Sequence, residues 1–164
     1  MVRLSSVRLR LATSADIPAM MALERHAATA AHWTEDAYAR LFAAESAPPR
    51  VALVIEEDAV VGFIVARALG PEWEIENVAI AGPARRRGLG SRLVGELIQL
   101  ARRQGASSIF LEVRASNAAA RSLYEKWAFV ESGRRPLYYR DPDEDAVLYR
   151  FSFPGPPPKA VEAG

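Results

Sequence analysis

Apolar and polar positions along the chain follow two rhythms, one helical and one extended. Leu89, Leu93, Leu97 and Leu100 recur at helical spacing until Gly105 stops the run, which predicts a helix there. Val7 to Leu11 alternates apolar with charged residues and reads as a strand. Thr13 or Ser14 then offers an N-cap with Asp16 in the first turn, and Met20, Leu23 and Ala27 share the inward face of the helix that follows. Thr34 caps a second helix with Glu35 and Asp36 in its first turn; Tyr38, Leu41 and Phe42 form its apolar side, and Pro48-Pro49 is expected to end it.

Three consecutive strands are predicted next: Val51 to Glu56, Val60 to Leu69 and Trp73 to Ile80, with turns at Glu57-Asp58-Ala59 and Gly70-Pro71. Beyond the leucine helix, Ser108 to Val113 is a nearly continuous apolar run, the pattern of a strand buried on both faces. Ser116 or Asn117 caps another helix with Ala120, Leu123, Tyr124 and Trp127 on one face. Phe129-Val130 opens a further strand, Arg134 to Asp145 reads as a loop, and Ala146 to Phe153 alternates as a last strand. The order is β-αα-βββ-α-β-α-ββ, an α/β (α+β) fold with a mixed sheet. Residues 1–153 read as a single domain. The proline-rich tail, residues 154–164, is expected to be disordered.

Composition narrows the functions. Half the residues are apolar and the net charge is +1, so no overall basic field calls for nucleic acid. There is no cysteine, which excludes a thiolate nucleophile, and two histidines are too few for most metal sites, so no metal is expected. No apolar run approaches the ~20 residues of a membrane span, and Met1 to Arg10 carries charges where a leader would be apolar. A cytoplasmic enzyme or binding protein is the expectation.

The charge is local instead. Arg85-Arg86-Arg87-Gly88-Leu89-Gly90-Ser91 sits immediately before the leucine helix. A helix N-terminus leaves N–H groups unpaired and carries partial positive charge, glycine lets an anion approach the backbone, and arginine adds full charge. The stretch therefore reads as a cradle for a phosphate or pyrophosphate. It lacks the Gly-Lys-Ser/Thr of a Walker loop and the G-x-G-x-x-G of a dinucleotide fold.

Glu112 interrupts the apolar run 109–113. An unpaired carboxylate there is desolvated, which raises its pKa and makes it a better proton acceptor; an ion pair with Arg114 or Arg121 is the plainer alternative. Tyr124 and Asn117 lie seven residues apart, on nearly the same side of a helix. On position alone they read equally as a core tyrosine and an ordinary cap.

Arg85-x-x-Gly88-x-Gly90 resembles the acetyl-CoA pyrophosphate loop of the GCN5-related N-acetyltransferases, the GNAT superfamily. The segment Leu111-Glu112-Val113-Arg114-Ala115-Ser116-Asn117-Ala118-Ala119-Ala120, with Leu123-Tyr124-Glu125, resembles the RimI-type ribosomal-protein alanine N-acetyltransferases within it. Trp33-Thr34-Glu35, Arg134-Arg135, Tyr138-Tyr139 and Glu144-Asp145-Ala146 resemble further elements of that family. The likeness spans roughly Val7 to Phe153.

It implies a mostly antiparallel central sheet flanked by helices, and acetyl-CoA as cosubstrate. It implies Glu112 as general base, Tyr124 as general acid and Asn117 in contact with acetyl-CoA. Arg85, Arg86, Arg87, Gly88, Leu89, Gly90 and Ser91 would hold the pyrophosphate, and the backbone of Val78, Ala79 and Ile80 the pantetheine. Trp33, Tyr138 and Tyr139 could wall a peptide entrance. The implied acceptor is the N-terminal alanine of a ribosomal protein, with no membrane and no direct nucleic acid as partner. Two departures stand out: Ala128 replaces a glycine usual before phenylalanine, where a left-handed backbone would be awkward for alanine, and the loop from Arg135 to Asp145 is slightly shorter. A transferase acting on a small amine or a lysine, and a non-catalytic acyl-CoA-binding module, are the competing expectations.

Overall fold

A computed structural model describes residues 6–27, 33–44 and 47–155. His32, the first five residues and the tail from 156 onward fall outside them. The strands are β1 (Arg8–Leu11), β2 (Arg50–Glu56), β3 (Val60–Leu69), β4 (Glu72–Ile80), β5 (Ser108–Arg114), β6 (Val130–Tyr139) and β7 (Glu144–Ser152). The helices are α1 (Ile17–Arg25), α2 (Glu35–Leu41), α3 (Leu89–Arg103) and α4 (Ala118–Lys126). This is the predicted order. The strands form one sheet, β1-β2-β3-β4-β5-β7-β6, in which β4 and β5 are the parallel pair and the other neighbours run antiparallel. The parallel pair needs a crossover, which α3 supplies. Among the described residues no helix is long and apolar enough to cross a membrane.

Side-chain alternation sends β2 and β3 to both faces. Leu53, Ile55, Ile64 and Ala66 meet Leu93, Leu97 and Ala101 of α3; Val54, Phe63 and Val65 meet Met20 of α1 and Tyr38 of α2. The leucine stripe is thus the hydrophobic seam of α3, each fully buried leucine contributing about 1.5–3 kcal/mol.

Three local readings are corrected. α2 ends at Leu41, where the Phe42 N–H turns back to the carbonyls of Ala39 and Arg40, well before Pro48-Pro49. β5 is not apolar on both faces: Ile109, Leu111 and Val113 are buried against α3 and α4, while Phe110, Glu112 and Arg114 are half-buried on the other side. The stretch 134–145 is largely strand, because β6 runs to Tyr139 and β7 starts at Glu144. It looked like a loop because β6 is an edge strand, exposed along nearly its whole length, so no face imposes alternation. A bulge also places three residues, 136–138, against Asp145 alone.

The doubt about Ala128 is well placed. It sits at φ 67°, just after the end of α4. The Phe129 N–H reaches the Tyr124 carbonyl (3.0 Å) and the Ala128 N–H that of Glu125 (3.0 Å), with the Tyr124 and Phe129 rings 5.5 Å apart. That is a Schellman stop with alanine in the left-handed place. α3 stops in the same way at Gly105, φ 78°.

Candidate active site

A split in the sheet organises the site. β4 and β5 pair only through Glu72, Trp73 and Glu74 against Ser108, Ile109 and Phe110. Just beyond, Glu76 is an extra residue between the β3 pairs Ile75–Ala66 and Asn77–Val65. The bulge reverses which face β4 presents: Trp73 and Ile75 join the α3 core, whereas Ala79 joins the α1–α2 core. It also bends the strand. β5 stays on its partner β7 as far as Arg114. Among the described residues no backbone hydrogen bond then joins the two strands, so the edge of β4 at Val78 and Ile80 has no strand beside it, while Ala79 pairs with Phe63 of β3 on the other flank.

At the far end of β4 the chain makes a short turn and enters α3. Gly88 is its N-cap at φ 76° and offers no side chain to the first turn. The first backbone bond of the helix runs from the Arg92 N–H to the Gly88 carbonyl (3.1 Å), so the N–H groups of Leu89, Gly90 and Ser91 point outward without a helical partner. The three arginines divide their tasks. Arg85 Nε donates to the Ile80 carbonyl (3.2 Å), and Arg87 is ion-paired with Glu57. Arg86 is exposed and has no partner among the described residues. Ser91 Oγ accepts from Trp127 Nε1 (3.0 Å), which ties the start of α3 to α4. Gly95 makes room for that same indole, since a Cβ there would stand 2.7 Å from it. Free N–H groups, one uncommitted guanidinium and an open strand edge suit a ligand with an anionic and an amide-containing part, as acetyl-CoA has.

A cleft of about 610 Å³ opens on the α1–α2 side. Trp33, Tyr138, Tyr139 and Glu112 all line it. Three of the predicted acceptor residues and the predicted base are thus brought together. The Glu112 side chain is 18 % exposed and its Oε1 lies 3.2 Å from Arg135 Nε. Neither expected partner takes it: Arg114 binds the Pro142 carbonyl and Glu144, and Arg121 binds the Ala115 carbonyl and the Tyr149 hydroxyl. The Glu112 charge raises the Tyr138 hydroxyl above its ordinary pKa, first through space and then through a hydrogen bond. Burial, followed by the same charge, pushes Tyr139 up to about 12.

Asn117 and Tyr124 lie outside the cleft lining, on α4. Asn117 Oδ1 caps the helix by accepting from the Ala120 N–H (3.1 Å). Tyr124 is 5 % exposed, and among the described residues its hydroxyl has no hydrogen-bond partner. Burial holds that hydroxyl well above the usual phenol pKa, with a smaller contribution from Tyr139.

Several residues of the site were missed in the sequence. Glu24 is buried in α1; its Oε1 accepts from the Trp33 N–H (2.8 Å) and from Asn77 Nδ2 (3.0 Å), and Asn77 Nδ2 also donates to the Tyr38 hydroxyl (3.3 Å). It therefore anchors the Trp33 wall to β4 at the bulge. The signal was present, because Glu24 falls on the same helical face as Met20 and Ala27. The cleft floor is polar: Arg50 pairs with Glu76 (3.1 Å), and Arg67 with Glu74 and Glu76.

The family model of the acetyltransferase (GNAT) family matches residues 17–129. The [ribosomal protein bS18]-alanine N-acetyltransferase of Escherichia coli K12 is 32 % identical over 136 residues, 81 % of this chain and 88 % of that one. An uncharacterized Mycobacterium leprae protein, ML0378, is 39 % identical over 97 residues, and the chain spans only 26 % of its length. The crystal structure of the ribosomal-protein-S18-alanine N-acetyltransferase from E. coli superposes with a TM-score of 0.83 at 27 % identity, covering 94 % of this chain and 98 % of that one.

Proposed function

This chain belongs to the acetyltransferase (GNAT) family as an acetyl-CoA-dependent N-acetyltransferase, and we propose that its acceptor is a protein N-terminus, foremost the N-terminal alanine of a ribosomal protein. The observation that carries this reading is the joining of Glu112 with Trp33, Tyr138 and Tyr139 in one cleft beside the β4–β5 split. A cleft of about 610 Å³ with aromatic walls and a polar floor suits several residues of extended peptide. The bS18-alanine activity of the E. coli relative supports the choice of substrate. A ribosomal acceptor puts the enzyme's work in the cytoplasm.

The residues divide the chemistry as follows. Arg86 and the N–H groups of Leu89, Gly90 and Ser91 hold the pyrophosphate; Arg85, Arg87 and Gly88 shape that loop. The free edge at Val78 and Ile80, with Ala79 between them, receives the amides of the pantetheine arm, and Asn117 adds a contact from the start of α4. Bound there, acetyl-CoA supplies the activated acetyl group. A peptide α-amine has a pKa near ~8, so roughly a tenth is neutral at pH 7. Glu112 takes the proton that the amine must lose, directly or through a water. Tyr124 presents an O–H that stays protonated throughout the working range, because burial raises its pKa. A phenol that weakly acidic stabilises the departing thiolate mainly by hydrogen bonding, with proton transfer following. Fixing both partners in one frame provides the proximity effect.

The direct test incubates the purified protein with acetyl-CoA and peptides beginning in Ala, Ser or Met, plus an N-blocked peptide with an internal lysine. Released CoA and peptide mass are followed together. Acetylation of the alanyl α-amine is the expected result. CoA release with lysine alone modified would move the acceptor to side chains, and CoA binding without transfer to any peptide would defeat the protein-substrate reading.

A further inference from the structure

We propose that Arg135 is a resident counterion for Glu112 that keeps the cleft from capturing protonated amines, so that the site admits the neutral, reactive form. The inference rests on reading Glu112 as the base and adds a positioning residue to it. Arg135 Nε stands 3.2 Å from Glu112 Oε1, and the arginine side chain is 56 % exposed. Its guanidinium lies 5.5 Å from the centroid of the Tyr138 ring, and Tyr138 lines the cleft together with Glu112, whose charge raises the Tyr138 hydroxyl. Arg135, Tyr138 and Glu112 thus close a triangle at the cleft wall. The β6 bulge shapes it: Leu137 sits at φ 50° with its N–H on Asp145 Oδ1 (2.9 Å), and the strand resumes at Tyr139.

Most of the other cations around the cleft are paired elsewhere, among them Arg114 on the same face of β5, which binds Glu144 and the Pro142 and Arg140 carbonyls. Arg50 and Arg67 neutralise Glu76 and Glu74 on the floor, while Arg40, on α2, lines the cleft without an ion partner among the described residues and is not paired with Glu112. Tyr138 and Tyr139, both raised, stay neutral beside Glu112. Arg135 is therefore the cation that faces the base. An ammonium that approached Glu112 would meet a carboxylate already neutralised and a guanidinium of its own sign. A neutral amine meets no such repulsion. At neutral pH most α-amines are protonated, and a bare carboxylate would bind that unreactive majority and stabilise the ground state against reaction.

The test measures binding to the CoA complex, which cannot transfer an acetyl group. Two peptides are compared at pH 6: one beginning with alanine, cationic there, and one beginning with lactyl, which has a hydroxyl in place of the amine. Wild-type protein should bind the two within about threefold. Arg135→Met keeps the apolar stem over Tyr138 and should bind the alanyl peptide about tenfold more tightly or better, with the lactyl peptide within twofold of wild type. Arg135→Lys should return to the wild-type pattern. CoA affinity and Tm certify that each variant is folded. A wild-type preference for the cationic peptide of tenfold or more would overturn the proposal without any variant. So would equal weakening of both peptides by Arg135→Met, no change in either, or Arg135→Lys behaving like Arg135→Met. If wild type acetylates no N-terminal amine, the proposed function fails; if it does and the binding pattern does not move, only the role of Arg135 falls.

Discussion

Glu112 and Tyr124 are both carried by weakly exposed side chains, but their surroundings predict different mutant behaviour. Glu112 has a half-exposed cation as its ion partner, so its loss should cost the fold little. Glu112→Gln is expected to lower kcat by about 10²–10³-fold, within the usual range for a general base, with CoA affinity by calorimetry and Tm almost unchanged. A turnover within threefold of wild type would remove Glu112 from proton transfer. Tyr124 has an unpartnered hydroxyl among the described residues and rings packed at 5.5 Å (Phe129) and 6.4 Å (Tyr149). Phenylalanine keeps that packing and breaks no protein hydrogen bond. Tyr124→Phe should therefore melt at the wild-type temperature or slightly above it while kcat falls about tenfold, the worth of one hydrogen bond to a charged group. A fall in Tm with unchanged kcat would make Tyr124 a core residue only. The sequence indicated the presence of Glu112 in a strand but not its partner, because Arg135 reaches it across β7, where Gly133 and Glu112 both face Leu148. Long-range register of that kind has no local signature.

Elements with a buried face were legible, and those without one were not. α3 was read from its leucines because each one enters the core, and its stop at Gly105 was read from residue type. β2, β3 and β4 were likewise bounded to within a residue or so of their observed ends. β6 reads mostly as loop because solvent on both sides removes the pattern, whereas the bulge at Glu76 does leave a trace, since Glu76-Asn77 breaks the apolar–polar alternation of Trp73 to Ile75 and Val78-Ala79-Ile80 follows without alternation. The end of α4 gives the sharpest element-level prediction. Ala128 occupies the left-handed position of a complete helix stop, a conformation that costs an L-residue with a Cβ about 1–2 kcal/mol. Glycine removes that strain and gives back about 0.4–1 kcal/mol through the greater freedom of the unfolded chain. Ala128→Gly should thus stabilise the protein by about 0.5–1 kcal/mol in urea unfolding, with an unchanged m-value. Destabilisation would mean that the methyl group makes contacts worth more than the strain.

At the scale of the whole molecule the sheet is one object with a seam. β1 to β4 and β5 to β7 are each fully laddered, and the two blocks share only the three-residue pairing at the start of β4 and β5. α3 spans the seam, since its buried leucines pack with residues of both blocks. The seam and the helix start converge where the arginine–glycine loop leaves β4, so one elongated ligand laid along the gap would touch both blocks at once. The proposed seat of acetyl-CoA therefore makes the cosubstrate a missing strand of the fold. Ligand that binds only the native state stabilises it by about 2.7 kcal/mol at a hundredfold excess over Kd, and that much would follow from any binding site. The location of the effect is what distinguishes this one. Native-state hydrogen exchange with and without CoA should show added protection at amides within 77–80 and at Leu89, Gly90 and Ser91, beyond the uniform gain from global stabilisation. Amides of β1, on the sheet's far edge, should show the uniform gain alone. Extra protection confined to β1 or β6, or none beyond the uniform gain, would move the cosubstrate off the seam and leave the split strands as an architectural feature of the sheet.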